Sequence, residues 1–349
     1  MGFRAWRVTG EGSPQAVLAQ GEVSLPDPEP GEVLVKVQTA SLNFADVLLA
    51  QGKYQANPSL PFIPGLESFG HVAEVGPGSS RKIGQPVIAT PYVPGGALAE
   101  MVLLPERLTY PVPEDMDPVA GAALINSYVT AVLALTRRAQ LRAGETILVH
   151  AGAGAVGSAA IRIADVLGAR VIATAGGPQK VDICRSLGAE LAIDYREHDF
   201  VDAVRSATGG RGADVIFDPV GGHVFERSRR CIAPEGRILI IGFTSGEIPS
   251  VPMNHPLLKL YSVVGSAVGI YREKMPEVWF DAVSQVLDLH RAGRISPLIH
   301  SVISFDHVPA GYRLIMERSS WGKVVVAVGL QKTTASGAGQ QAPGALATG

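Results

Sequence analysis

Residues 144–157 read Gly-Glu-Thr-Ile-Leu-Val-His-Ala-Gly-Ala-Gly-Ala-Val-Gly, and no other stretch constrains the chain as tightly. An apolar run, Ile147-Leu148-Val149, leads into Gly152-x-Gly154-x-x-Gly157, and a helix-like segment from Ser158 to Leu167 follows. Strand, glycine-rich turn and helix is the order a dinucleotide site needs. Gly152 is expected to permit the tight turn. Gly154 lets backbone approach a pyrophosphate without a Cβ in the way, and Gly157 brings the helix close to the strand. Ala155 and Val156 stand where the helix presents its free N–H groups and positive dipole end to the phosphates. A chain with 40 glycines produces such a pattern by chance. An ordinary strand-to-helix turn is therefore the competing reading, and the flanks have to decide.

The flanks favour the nucleotide. Arg170–Thr174, Leu191–Asp194, Ala213–Asp218, Arg237–Ile241 and Tyr261–Val264 read as further strands. Between them Pro178–Leu187, Phe200–Thr208 and Val224–Ile232 read as helices, punctuated by Gly188, Gly209-Gly210 and Pro219. Strands without polar alternation are buried on both faces, which marks a parallel sheet. The expected fold class is α/β: a doubly wound parallel sheet with its ligand at the switch point.

An NAD site carries Asp or Glu at the end of the second strand for the ribose 2′-hydroxyl. Here that stretch is Thr174-Ala175-Gly176-Gly177. The missing acid permits a 2′-phosphate, and Lys180 with Tyr195-Arg196 could supply cationic and hydroxyl contacts to it. Taken singly these are ordinary surface charges. Together with the missing acid they favour NADPH.

A chain of 349 residues leaves room for a second domain. Residues 1–125 are rich in Pro and Gly and read as short strands: Arg4–Val8, Gly31–Thr39, His71–Val75, Pro86–Thr90 and Leu98–Leu104. That implies a mainly β unit ahead of a nucleotide domain over 126–265. The stretch 266–330 holds a helix, Pro276–Ala292, and a strand, Gly322–Val328; residues 331–349 read as a disordered tail. A net charge of −2 with interspersed signs gives no nucleic-acid surface. We find no signal core and no run of about eighteen uncharged apolar residues for a membrane span. Cys184 and Cys231, both placed in helices, suit buried apolar positions in a reducing, cytoplasmic compartment.

Several separate segments then occur in one order over residues 1 to about 328. They are Ser41-Leu42-Asn43-Phe44-Ala45-Asp46, Gln51-Gly52-Lys53-Tyr54, Pro61 to Gly70, His150 to Gly157, Gly209 to Asp214, Asp218 to Gly222, Gly242 to Gly246 and Arg318 to Val325. In them the chain resembles the zinc-free NADPH:quinone oxidoreductases, relatives of zeta-crystallin in the medium-chain dehydrogenase/reductase superfamily. The resemblance implies a Rossmann sheet joined to a GroES-like catalytic domain. Zinc-using members place Cys near Asn43 and a Gly-His-Glu at Gly65-Leu66-Glu67. Leu66 here replaces that histidine, and the cysteine-rich lobe is missing. The resemblance therefore implies hydride delivery from NADPH to an acceptor electrophilic by itself: a quinone, enal, enone or acrylate.

By the same likeness Asn43, Asp46 and Tyr54 line the catalytic cleft. Thr130, Phe243, Val264 and Ser266 flank the nicotinamide, and Lys180 and Tyr195 meet the 2′-phosphate. Arg318 and Lys323 lie beside the cofactor. One departure stands out: Val132-Leu133 follows Thr130-Ala131 where some relatives carry a tyrosine. Simpler readings exist for the polar residues. Asn43 and Asp46 suit the start of a helix over Phe44–Ala50, and Tyr54 suits packing. Glu67 suits a buried, hydrogen-bonded acid, and His150 suits the end of a strand. His255, His300 and His307 show no ligand spacing.

Three functions are carried forward. The first is an NADPH-dependent quinone or conjugated-carbonyl reductase. The second is an enoyl or acrylate reductase on the same cofactor site, and the third a non-enzymatic NADPH-binding, crystallin-like protein. The last strand of the nucleotide sheet, Tyr261–Val264, should be an apolar edge. In the superfamily resembled, such edges pair across a two-fold axis, so a homodimer is expected.

Overall fold

A computed structural model describes residues 2–330; the expected disordered tail lies outside the described residues. The chain opens with β1 (Phe3–Val8), α1 (Pro14–Val17), β2 (Leu18–Val23), β3 (Glu32–Ser41) and α2 (Phe44–Ala50). β4 (Ser68–Val75), β5 (Pro86–Ala89), β6 (Met101–Pro105) and β7 (Thr109–Pro111) complete this part. α3 (Pro118–Val132) leads to β8 (Thr146–Val149), α4 (Ala155–Val166), β9 (Arg170–Ala175), α5 (Pro178–Ser186) and β10 (Leu191–Asp194). Next come α6 (Phe200–Ala207), β11 (Ala213–Asp218), α7 (Gly222–Ser228), β12 (Ile232–Ile240), α8 (Asn254–Lys259) and β13 (Ser262–Gly265). α9 (Val268–Lys274), α10 (Pro276–Arg291), β14 (Ile299–Ser304), α11 (Val308–Met316) and β15 (Lys323–Ala327) close the described chain.

β8 to β13 form a six-stranded parallel sheet in the order β10-β9-β8-β11-β12-β13. The order reverses between β8 and β11, and the crevice at the carboxyl ends of such strands is where open α/β sheets bind ligands. Every residue of β8 and β11 is buried, as strands covered by helices on both faces must be. The second sheet runs β14-β15-β3-β4-β5-β7, with β6 also paired to β3. β3 alternates, burying Val33, Val35 and Val37 on its core face. β15 returns from the far end of the chain to pair antiparallel with β3, Val325 opposite Ser41. That pairing carries Lys323 to the start of α2.

The two sheets share a core. One apolar cluster joins Phe69, Ile88 and Tyr110 of the first unit to α3, α4 and the nucleotide strands. α3 continues through a π-helical turn, Leu133–Arg138. The 21-residue helix Pro118–Arg138 is long and apolar enough to cross a bilayer, which corrects the expectation that no such run exists. It is buried for most of its length, because it lies between the two units and packs on both.

Other differences are local. Gly221 and Gly222 take positive φ, so α7 starts and ends earlier than expected, and β12 begins at Ile232 beside Ala213. Cys231 therefore lies outside a helix, though both cysteines are buried and free.

Candidate active site

The glycine loop shows why each small residue is there. A Cβ on Gly157 would sit 2.2 Å from the Ala151 carbonyl oxygen. One on Gly152 would meet Cys184 Sγ at 2.8 Å and Ala173 Cβ at 3.0 Å. Gly152 thus serves close packing against β9 and α5. The left-handed backbone of the turn falls on Ala151 (φ +51°), which corrects the expectation that Gly152 makes the turn. A Cβ on Gly154 would find only the Ala151 carbonyl oxygen, at 3.2 Å, the open approach a pyrophosphate needs. Gly154 caps α4, and Ala155 and Val156 form its first turn, where N–H groups lack intrahelical partners. The C-terminal segment lies along this loop: Gly322 N–H donates to the Ala153 carbonyl at 2.8 Å. Only glycine fits there, since φ is +46° and a Cβ would lie 2.1 Å from the Leu298 carbonyl oxygen.

That crossing completes a cluster of cations at the end of β9. The Tyr195 hydroxyl lies 2.5 Å, and Arg196 Nε 3.1 Å, from where a Cβ on Gly176 would be. Lys180 Nζ donates to the Arg318 carbonyl at 2.8 Å, and Arg318 Nη2 approaches the Thr244 carbonyl at 3.4 Å. Burial, then the Arg196 and Arg318 charges, hold the Lys180 ammonium below the ordinary lysine range. Among the described residues none of these three cations forms a salt bridge. The half-buried Asp194 carboxylate instead accepts the N–H groups of Gly177 and Arg196.

At the other end of the crevice Thr130 Oγ1 donates to the Asn126 carbonyl at 2.7 Å, leaving its lone pairs as acceptors. The Phe243 ring lies over Gly221, 2.8 Å from the position of a Cβ. Val264 and Ser266 stand at the carboxyl end of β13, where Ser266 N–H donates to the Ile240 carbonyl at 3.0 Å.

The polar residues next to this crevice make a closed network. Lys323 Nζ donates to Asn43 Oδ1 (2.7 Å), to Ser41 Oγ (3.1 Å) and to Glu67 Oε1. Glu67 also accepts from Ser41 Oγ (2.8 Å) and, at Oε2, from the Asn126 N–H (2.8 Å). Asn126 Nδ2 donates to Asn43 Oδ1 at 3.0 Å, and Asn43 Nδ2 donates to the Ser41 carbonyl at 3.1 Å. Lys323 is 2% and Glu67 0% exposed. All three ammonium donors of Lys323, expected beside the cofactor, are engaged by Ser41, Asn43 and Glu67. Asp46 also faces inward. It accepts the N–H groups of Asn43 (2.9 Å) and Gly65 (3.1 Å), capping α2. Burial pushes its carboxyl up to about 6, against the pull of those two N–H groups. The buried Tyr312 hydroxyl faces this carboxylate without a well-formed hydrogen bond. Of the expected cleft trio, only Tyr54 is half-buried rather than buried.

His150 bonds Thr174 Oγ1 (3.0 Å) and Ser228 Oγ (2.8 Å), and burial pushes it down to about 3. Ser228 already donates to the Val224 carbonyl, so His150 donates from Nε2 and accepts at Nδ1. It ties β8, β9 and α7 together beneath the loop. Sequence reasoning missed Asn126, whose only signal is an amide inside an apolar helix. It also missed Arg272, Tyr92 and Thr90, which meet across the two units and match no motif.

Two family descriptions match the chain: an alcohol dehydrogenase GroES-like domain over residues 29–114 and a zinc-binding dehydrogenase over residues 155–285. The quinone oxidoreductase-like protein 2 of Bos taurus is 37% identical over 333 residues, 93% of this chain and 95% of that protein. The quinone oxidoreductase of Thermus thermophilus, solved also with NADPH, is 34% identical, with a TM-score of 0.78 over 93% of this chain and 100% of that one. The Escherichia coli quinone oxidoreductase complexed with NADPH is 26% identical, with a TM-score of 0.86 over the same shares. The chain thus belongs to the quinone oxidoreductase family of the medium-chain dehydrogenases/reductases.

Proposed function

We propose that the chain is an NADPH-dependent oxidoreductase that delivers hydride to quinones or other conjugated carbonyl acceptors without zinc. The observation that carries the cofactor is the unpaired cluster of Lys180, Arg196 and Arg318 beside Tyr195, with no acid at the end of β9. Such a pocket suits a phosphate dianion. The solved relatives bind NADPH, which supplies the hydride when bound. The chain's own residues hold the pyrophosphate at α4, receive the carboxamide at Thr130 and close the crevice with Phe243.

Zinc independence rests on Lys323. Its ammonium occupies the acceptors of Asn43 and Glu67, where a catalytic ion would need thiolate and imidazole ligands. Among the described residues no three His, Cys, Asp or Glu side chains gather to hold a metal. Activity should survive exhaustive chelation, and restoration by added zinc would contradict the reading. Monitoring NADPH oxidation with a quinone panel and an enal/acrylate panel tests the main function. Turnover of enals or acrylates alone would favour an enoyl-type reductase. No turnover with tight NADPH binding would favour a crystallin-like role. The compartment we propose is cytoplasmic, in keeping with two buried, unpaired cysteines.

We also propose a homodimer through β13. Val263 on this edge strand is 41% exposed, and Leu257, Leu258 and Leu260 beside it are more exposed still. A second copy would cover this apolar edge. Light scattering showing only monomer at micromolar concentration would refute it.

A further inference from the structure

The junction of the two units holds a half-buried cation that no acid neutralises among the described residues. Arg272 lies on α9, just after Ser266 at the carboxyl end of the sheet. Its side chain crosses to the first unit, where Nη1 donates to the Thr90 carbonyl at 3.2 Å. The guanidinium lies 3.9 Å from the centre of the Tyr92 ring and 5.7 Å from that of Trp279. Nε is buried and without a partner. Tyr54 stands near enough for its hydroxyl to feel the guanidinium charge. Among the described residues Arg272 makes no salt bridge, whereas Arg237, also half-buried, is held by Glu145. A guanidinium partly withdrawn from water with a buried spare donor is costly unless something negative meets it. Aromatic faces and one carbonyl offset only part of that cost.

The reaction supplies the missing charge. When hydride adds to a conjugated carbon, a C–H bond forms and the π electrons move to the carbonyl oxygen. An enone becomes an enolate; a quinone becomes the enolate of its keto tautomer, which loses the ring-carbon proton to solvent as it becomes a hydroquinone; NADPH is oxidised to NADP+, and solvent supplies the proton that completes the reduction. The negative oxygen therefore exists only in the transition state and after it. A fixed donor aimed at that oxygen accelerates the step without holding the substrate tightly beforehand. Resting on the reductase reading above, we propose that Arg272 is a catalytic residue. It receives the acceptor's carbonyl oxygen beside Tyr54 and Tyr92 and stabilises the oxyanion formed there. The enzyme would then prefer flat acceptors whose reduced form carries charge on oxygen.

Arg272 also bridges the two units through Thr90, so the test has to separate catalysis from a structural tie. In the full chain, Arg272→Met should lower kcat/KM for a quinone by about a hundredfold or more, the usual effect of losing an oxyanion donor. NADPH affinity and melting temperature should hardly move. With NADP+ present, 4-nitrophenolate should bind the variant at least about tenfold more weakly than wild type, while neutral nitrobenzene binds both alike. Free guanidinium should restore part of the turnover of Arg272→Ala. Unchanged kcat/KM would overturn the proposal. So would equal losses for phenolate and nitrobenzene with a lowered melting temperature, which is what a structural tie predicts. A wild type that oxidises NADPH with no quinone or enone would sink the reductase reading itself. An active wild type with an indifferent Arg272→Met would sink only this proposal.

Discussion

Lys180 and Lys323 were both expected beside the cofactor, and the structure treats them in opposite ways. Lys323 is sealed: the residue is 2% exposed and each ammonium donor meets a built-in acceptor. Lys180 is half-open, close to two other cations, and bonded only to a backbone carbonyl. Charge that the protein neutralises internally is architecture. Charge left unneutralised marks the place of a ligand. By this criterion the proposed phosphate pocket and Arg272 are left open for ligands, while the Asn43–Glu67–Lys323 network and the Asp46 cap are internally satisfied.

The largest effect should come from breaking the sealed pair. Lys323→Met leaves Glu67 charged, buried and unpaired, which typically costs about 3–5 kcal/mol. Adding Glu67→Gln should recover part of that loss, because the uncompensated charge is gone. Denaturant unfolding of both variants measures this. A Lys323→Met protein of normal stability but weakened NADPH binding would make Lys323 a cofactor ligand and erase the contrast.

Next in size is a pH effect at His150, another sealed group. Its folded value of about 3 lies below the ordinary 6.5, so below pH 6.5 the unfolded chain takes up a proton that the native state refuses. The stability its neutral form supports is present above pH 6.5 and lost as pH falls towards 3, at roughly 1.4 kcal/mol per pH unit. Asp46 works the other way. Raised to about 6 from 3.8, it protonates first in the native state, which gains relative stability as pH falls between those values. The two slopes partly cancel in the wild type, so the measurement is a comparison. His150→Gln should lose less stability than wild type on going from pH 6.5 to 4.5. Identical slopes would mean that His150 is not held neutral.

The open pocket gives the third prediction. Lys180→Ala removes a charge-assisted contact worth about 1.5–3 kcal/mol. NADPH should bind about tenfold or more weakly, with NADH nearly unchanged. Equal wild-type affinity for the two cofactors would remove the basis of the pocket.

How far the sequence reaches follows the same division. The nucleotide sheet was legible because buried parallel strands are uninterrupted β-branched runs, and each turn carries Gly or Pro. β14 and α11 were not, since Ile299–Ser304 is half-exposed and alternates weakly, and its pairing with β15, a strand the sequence does suggest, is set only once the chain returns to β3. The proposed phosphate residues rest on a missing acid, a local signal. The destination of Lys323 was not legible. It depends on the β15–β3 register, which brings positions 282 residues apart into one network. Arg272 was invisible for the same reason: its partners Thr90 and Tyr92 come from the other unit.

Tyr54 is where the division is least sharp, and it carries the smallest expected effect. It packs against the apolar cluster of Val8, Leu49, Ala50 and Phe62, yet its hydroxyl lies in the fields of both Arg272 and Asp46. Burial, the largest influence, raises it above the ordinary tyrosine value, so it stays protonated and can donate at neutral pH. If it orients the acceptor's oxygen alongside Arg272, Tyr54→Phe should lower acceptor kcat/KM by roughly tenfold, the size of one neutral hydrogen bond. NADPH affinity should be kept. Combined with Arg272→Met, the further loss should be smaller than tenfold, because two donors to one oxygen act as a unit. Steady-state kinetics with a cofactor titration and a melting curve decides between the two roles. Unchanged turnover with a lowered melting point would place Tyr54 with the sealed groups, and Arg272 would then face the acceptor without it.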